Sequence, residues 1–572
     1  MTFKTRLASG GVMTAIVAGI VVANALVLPS TAGAQFVFSV DDQRDASDAQ
    51  PGDQECRSTF GTCTLRAAFE EINFWAADPA CAGLNQIILP AGNYVLAAGK
   101  GPLAVGIGSG PDNGSCIHLE GTSANLGVSA SVIDGNAGDG VDGSHGARQS
   151  RVLTIYEASH LLLKGVTIKR GHDHIAGGGI LNFGALQIEN TLITENWTHG
   201  RGGGIYNGGN ITIFESTISK NRTRLNSGTL GGGGIANVGG DIFLIDVTIS
   251  GNVAESSSHA GGILNTALQD SSGNIIRGGY LWMLNNTVAQ NSSDRSSSGG
   301  IYNGTETSGM NVNDGSVIEF LNTIVARNFR TGSPTYDSNC TGTLNSLGYN
   351  LIGWKDYYCN ITPAIGDQIG GEGAPAIDPL LGPLDDNGGP TPTHALRSGS
   401  PAIDQGSPDQ PGSGGSACSD FDQRFVPRPK DGPLSATGTG FDGQARCDVG
   451  AYEYAAATAS VADKSVTEGN VGTKNITFTI SIPFFPPDPL NVSYATSPNT
   501  AKAGSDYQHT TGTVTFMPGE LAKTVNVTVI GDKVKEGNET FFLDIRNATS
   551  HLDDNKVIIG KGRAVGTIRN DD

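Results

Sequence analysis

Glu215 and Asp246 each lie six residues before a recurring asparagine, Asn221 and Asn252. If the segments around them are strands stacked in register, the two acids occupy neighbouring rungs, about 5 Å apart. That spacing suits two-carboxylate glycoside cleavage, and it also suits a calcium ion. The same column holds Asn190, Asn285 and Asn322. A polar turn ladder with two charged members is therefore the plainer expectation. His172, Asp173 and His174 form a second group. Alternate residues of a strand point the same way, so the two imidazoles could share a metal or pass a proton. No further His or Cys stands in line to complete a set, and a solvated loop is expected there. Tyr206 and Tyr302 share one position of the pattern, a weak basis for a sugar platform. The Gly-Gly-Gly runs lack the Lys-Ser/Thr of a phosphate loop and recur along the chain, so they read as turns.

These residues must be positioned by a repeat. Gly-Gly-Ile-x-Asn ends at Asn182, Asn207, Asn237, Asn265 and Asn303. A second half of each unit ends at Asn196, Asn221, Asn252, Asn291 and Asn328. Between them apolar residues alternate: Leu186 and Ile188 align with Ile211 and Ile213, then with Ile242 and Leu244. Period two means strands with one face inward. One such unit cannot bury its own face, so successive units must stack. Stacking turns each Asn position into a ladder of side-chain hydrogen bonds along the axis. The expected fold is all-β: a right-handed parallel β-helix, pectin-lyase-like, then an antiparallel Ig-like β-sandwich.

A solenoid has open ends that invite strand pairing. At the first, Thr64 can cap a helix with Leu65, Phe69, Ile72 and Ala76 on one face. The stretch Ile87–Leu96 then enters the first strands. Cys63-Thr64-Leu65-Arg66-Ala67-Ala68 resembles the CSLREA-type opening of exported bacterial β-helix proteins, with Ala67 where that family has Glu. The far end, Asn345–Gly353 through Ile377–Leu384, Asp386–His394, Ser400–Asp404, Asp422–Arg424 and Asp448–Glu453, resembles the choice-of-anchor Q region. That likeness implies a solenoid closed by this region and joined to a surface-directed partner.

From about Ala457 cysteine disappears and short alternating strands recur, among them Ile476–Ile480, Val514–Phe516 and Val525–Val529. They predict a small antiparallel sandwich with its acids in loops at one end. Val466-Thr467-Glu468-Gly469-Asn470, Gly504-Ser505-Asp506-Tyr507, Gly531–Glu539 and Ile568–Asp572 resemble the Calx-β domain. The resemblance implies calcium held by Glu468, Asp506, Asp532, Glu536, Asp571 and Asp572, with Glu539 in reserve. Gly531, Lys533 and Asn570 stand where calcium-rich members carry further acids, which implies one or two ions.

The compartment follows from the start of the chain and from its cysteines. Lys4 and Arg6, an apolar run from Val12 to Leu28, and Ala32-Gly33-Ala34 before Gln35 read as a signal peptide. Eight cysteines in an exported chain read as disulfides. Spacing leaves their connectivity open; the expectation is neighbour pairing, Cys56–Cys63, Cys81–Cys116, Cys340–Cys359 and Cys418–Cys447. A net charge of −19, from 36 Lys plus Arg against 55 Asp plus Glu, argues against nucleic acid. No later segment is apolar enough to span a bilayer. The expected division is a signal over 1–34, cap and first turns over 35–125, repeats over 126–335, closing region over 336–454, and Calx-β-like domain over 455–572. The expected role is that of a secreted or surface calcium-binding protein, non-catalytic, adhering to an extracellular glycan or surface protein. The alternative is a polysaccharide lyase or glycoside hydrolase using the groove of the solenoid.

Overall fold

The computed structural model describes residues 36–75, 85–106, 114–122, 130–136, 150–224, 231–255, 259–294, 298–307, 310–312, 314–331, 333–371, 373–397, 399–429, 446–454, 458–482, 489–517, 520–550, 553–556 and 558–571. The expected signal peptide, Ala76, Cys81 and Asp572 lie outside these residues. Among the described residues the chain is all-β except for one helix, Leu65–Trp75. Thr64 caps it, its Oγ1 accepting the Ala67 N–H at 3.2 Å. Leu65, Ala68, Phe69 and Ile72 turn inward and join one apolar core with Leu103 and Val105. The Cys56–Cys63 disulfide closes the loop just before the cap. A short strand, Val37–Ser39, precedes the expected opening stretch and pairs in parallel with Asn85–Leu89.

Through the repeats, equivalent strands pair in parallel, residue for residue. Leu186 and Ile188 lie opposite Ile211 and Ile213, then Ile242 and Leu244, Leu281 and Met283, and Ile318 and Phe320. A second column runs Ile193, Ile218, Ile249, Val288, Val325. Every one of these side chains is buried. In-register parallel strands put like residues about 4.8 Å apart, so each column is a continuous apolar contact. Among the described residues these strands belong to sheets of 18, 10 and 7 strands, which also take in strands before and after the repeats.

Two asparagine ladders run beside the apolar columns. Asn182 Nδ2 donates to Asn207 Oδ1 at 2.8 Å, Asn207 to Asn237 at 2.8 Å, Asn237 to Asn265 at 2.8 Å and Asn265 to Asn303 at 2.9 Å. The other runs from Asn196 through Asn221, Asn252 and Asn291 to Asn328 at 2.9–3.0 Å. Asn221 shows why the residue is amide: its Nδ2 also donates to the Ile193 carbonyl (2.9 Å), and its Oδ1 accepts the Asn196 backbone N–H (3.0 Å). A buried amide is satisfied on both ends only where donors and acceptors repeat on both sides.

The region after the repeats folds back along one face of the stacked strands. Ala289, Ile324, Ala326 and Leu351 of the stack pack against its Leu381, Leu396, Ile403, Val449 and Tyr452. Outward threonines supply the polar contacts. Thr217 Oγ1 donates to the Pro392 carbonyl (2.6 Å), Thr248 Oγ1 to Gln423 Oε1 (2.6 Å), and the Ala451 N–H to Thr287 Oγ1 (3.1 Å). Cys340–Cys359 and Cys418–Cys447 are bonded, and Cys116 is disulfide-bonded too.

The last strands form two sheets around a separate core that includes Phe478, Tyr507, Phe516 and Phe541. Most pairings are antiparallel, as expected. Among the described strands two pairings are parallel: Thr458–Val461 with Ile558–Ile559, and Lys464–Thr467 with Arg563–Arg569. The first strand breaks at Ala462–Asp463 and passes from one sheet to the other.

Candidate functional site

The acidic end of the C-terminal sandwich is built by strand ends. Thr467 lies opposite Arg569, so Glu468 and Asn570, the next residues of each chain segment, are neighbours. The Glu468 N–H donates to the Arg569 carbonyl at 3.1 Å, and Asn570 Nδ2 donates to Glu468 Oε1 at 3.1 Å. Asp571 Oδ1 accepts the Gly469 N–H at 2.8 Å. Glu468 is buried, and burial first, then the fields of Asp532, Glu536 and Asp571, raise its carboxyl above the ordinary value. Glu468 therefore lies within the fields of three other acids at this end.

A second convergence lies at the same end. One carboxylate oxygen each from Asp506, Glu536 and Glu539 lies within 4.8 Å of the others. Asp506 is held in its loop by the Lys502 N–H, which donates to Oδ2 at 2.6 Å. Burial, then a proton shared with Asp506, pushes Glu539 up to about 7. Asp506 moves the opposite way: although burial raises it, the Lys502 N–H, Ser505 and the Glu539 proton hold it below its ordinary value. Three hard oxygens in one small space form a donor set that suits a calcium-type ion. Glu539 thus belongs with Asp506 and Glu536 in the gathered set. Asp532 is turned to its own loop, its Oδ1 accepting the Val534 N–H at 2.7 Å.

The acidic turn column looks different in three dimensions. Asn190, Glu215, Asp246, Asn285 and Asn322 all have left-handed backbones, with φ of 50°, 39°, 53°, 55° and 48°. Asn and Asp adopt that conformation readily; Glu does so less readily. Asp246 is buried under the folded-back region, and Arg428 Nη2 donates to its Oδ1 at 3.0 Å. The same guanidinium donates to Glu453 Oε2 at 2.8 Å. Burial pushes Asp246 up to about 7, with Arg428 pulling down, and pushes Glu215 up to about 8, with Asp246 adding to it. The Glu215 carbonyl accepts from Thr391 Oγ1 at 3.1 Å. This column is where the returning segment is fastened. Arg428 is a residue that repeat spacing could not find, because it lies 182 positions from its partner.

His172 and His174 correct a second expectation. His172–Asp173 is a strand paired in parallel with Trp197–Thr198, not a solvated loop. His199, one repeat further on, joins the two imidazoles. The signal was available, because His199 follows His174 by the repeat interval of 25 residues. Tyr206 and Tyr302 pack into a small cluster with Ala236, Ala260 and Leu264.

The geometry thus defines an all-β chain ending in a two-sheet module with acids gathered at one end. Residues 488–572 match the family model of the Calx-beta domain, so the chain carries a Calx-beta domain at its C-terminal end. Sodium/calcium exchanger 1 of Bos taurus is 42% identical over 62 residues, 11% of this chain and 6% of the exchanger. Sodium/calcium exchanger 2 of Homo sapiens is 43% identical over 56 residues, 10% of this chain and 6% of the exchanger. The chain thus spans a small fraction of the length of these relatives. Among solved structures, the apo-form Calx CBD1 domain aligns at 24% identity over 20% of this chain and 98% of that one, TM-score 0.18. The calcium binding domain CBD12 of CALX1.1 aligns at 25% identity over 20% and 46%, TM-score 0.17. Among the described residues no helix is long and apolar enough to cross a membrane.

Proposed function

We propose that this is a secreted or cell-surface calcium-binding protein whose first part is a right-handed parallel β-helix. On this reading residues 1–34 direct export, 35–125 cap and open the solenoid, 126–335 repeat, 336–454 close it, and 455–572 form the Calx-beta domain. The solenoid is a rigid, non-catalytic adhesion surface for an extracellular glycan or surface protein. The C-terminal domain takes one or two calcium ions through Asp506, Glu536 and Glu539, with Glu468, Asp532 and Asp571 around them; the expected ligand Asp572 lies outside the described residues. The observation that carries the calcium reading is the approach of three carboxylates within 4.8 Å inside the segment matched to Calx-beta. Like charges so placed oppose folding until a cation joins them.

Calorimetry of the full chain tests it. Calcium at 100 times its Kd adds about 2.7 kcal/mol to a folded domain that binds one ion. The transition of the C-terminal domain is expected to move upward in millimolar calcium, and to stay put in the Asp506→Asn/Glu539→Gln variant. No movement of the unaltered chain at millimolar calcium would sink the proposal. Retention of the chain on glycan or cell surfaces, without turnover, tests the adhesion reading.

The raised carboxyls of Glu215 and Asp246 favour a second reading, cleavage of a polysaccharide in the solenoid groove. It ranks second because Asp246 is covered and paired with Arg428. Turnover of polyuronides or neutral glycans, abolished by both Glu215→Gln and Asp246→Asn, would reverse the order.

A further inference from the structure

The three histidines at one edge of the seven-stranded sheet, His172 in a strand and His174 and His199 just past the ends of two strands, lie far in sequence from the Calx-beta domain and play no part in the reading above. Their convergence follows from strand geometry. His172 lies in the strand His172–Asp173 and His174 in the bend just after it, with the two ring centroids 4.8 Å apart. Trp197 pairs with His172 and Thr198 with Asp173, which brings His199 to the rung beside His174. The His199 N–H donates to the Asp173 carbonyl at 3.1 Å, fixing that register. Asp173 is itself held: its Oδ1 accepts the Ile175 N–H at 2.7 Å, and Arg151 pairs with Oδ2 at 2.6 Å. His172 is buried and stacks on Trp197, ring centroids 3.6 Å apart. His199 is half-buried and His174 is open to solvent.

The ring nitrogens meet at short range. His172 Nε2 lies 3.3 Å from His199 Nδ1, and His174 Nδ1 lies 3.1 Å from the same atom. One ring nitrogen therefore faces two others. A cation between the three would take a lone pair from each. Imidazole nitrogens bound to zinc at about 2.1 Å in a tetrahedron are about 3.4 Å apart, close to both distances here.

We propose that His172, His174 and His199 form a binding site for a first-row transition dication, with zinc the expected occupant. Imidazole donors select zinc, copper and nickel over calcium or magnesium, so this site and the acidic end take different ions. Three protein donors leave a fourth tetrahedral position open. It lies on the His174 side, where water or an oxygen donor from an outside ligand can enter.

The test uses the full chain with calcium in excess, so that acidic sites are occupied. Zinc uptake is measured by calorimetry and by metal analysis after gel filtration. One equivalent of zinc is expected per chain, weakened at least 100-fold in both His174→Ala and His199→Ala. His174 is exposed, so His174→Ala is expected to leave the apo melting temperature unchanged and to separate a lost ligand from a lost fold. Copper(II) in place of zinc is expected to quench the Trp197 emission through the stacked His172, an effect absent from Trp197→Phe. Absence of uptake, or uptake that both histidine variants retain at full affinity, overturns the site. The first outcome would leave a hydrogen-bonded histidine cluster; the second would place the zinc elsewhere.

Discussion

Replacing Arg428 by methionine tests how the returning segment is fastened to the stack. The guanidinium is fully buried and donates to Asp246 (3.0 Å), Glu453 (2.8 Å), and the carbonyls of Gly450 (2.8 Å) and Asp448 (3.2 Å). Methionine fills much of the volume and removes every donor. Two buried carboxylates, Asp246 and Glu453, then lose their shared guanidinium partner. Breaking a buried pair from one side costs about 3–5 kcal/mol, because the remaining charge stays desolvated. The readout is urea unfolding followed by tryptophan fluorescence. The four tryptophans of the chain, Trp75, Trp197, Trp282 and Trp354, all precede the Calx-beta domain, so the signal reports on the stack. The variant is expected to lose about 3–5 kcal/mol at pH 8. The loss is expected to shrink on acidification. Burial already holds Asp246 up to about 7, and without the opposing Arg428 it protonates more readily still. Adding Asp246→Asn and Glu453→Gln removes the orphaned charges and is expected to restore at least half of the loss. A deficit below about 1 kcal/mol, or one that the two added substitutions leave unchanged, refutes the account of Arg428 as the fastening.

Three further outcomes follow from the same structure. Asn221→Ala removes side-chain bonds to Asn196, Asn252 and the Ile193 carbonyl and is expected to cost about 2–4 kcal/mol. Asn210→Ala, at an exposed strand position, is expected to stay within about 0.5 kcal/mol by the same urea assay. Glu215 has its folded-state carboxyl raised from 4.5 to about 8, so the stability tied to it is full below pH 4.5 and is lost as pH rises through about 8. Glu215→Gln, neutral throughout, is expected to flatten the fall in urea midpoint between pH 5 and 9; an unchanged slope would show that the acid is not held neutral. Glu539, raised to about 7, must give up its proton to a cation. Calcium affinity measured by calorimetry is therefore expected to be weaker at pH 6 than at pH 8, with proton release detected by changing the buffer; a pH-independent affinity excludes Glu539 as a ligand.

What could be read from the sequence, and what could not, divides by the kind of contact. The apolar columns, both asparagine ladders and the helix cap rest on contacts between residues one repeat or a few positions apart. Their spacing is written along the chain, and Asn182, Asn207, Asn237, Asn265 and Asn303 could be aligned by counting. The acids of the C-terminal domain were found through family motifs, and the geometry selects among them by strand ends: Glu539 begins a strand beside Asp506, whereas Asp532 bonds to its own loop. Contacts that carry no period stayed hidden. Nothing local marks Arg428 as the partner of Asp246 or Gln423 as the partner of Thr248, since those pairings are made by a segment that returns after more than a hundred residues. His199 is the instructive case. It shares the period of the asparagines, yet its column reads His174, His199, Arg224 and is masked by its chemical variety. A column of unlike residues gives the stacked strands no common stabilising contact of the kind the asparagines make. Where such a column sets two imidazoles beside His172 of the neighbouring column, the repeat acts as a scaffold, and the residues it brings together answer to a ligand rather than to the fold.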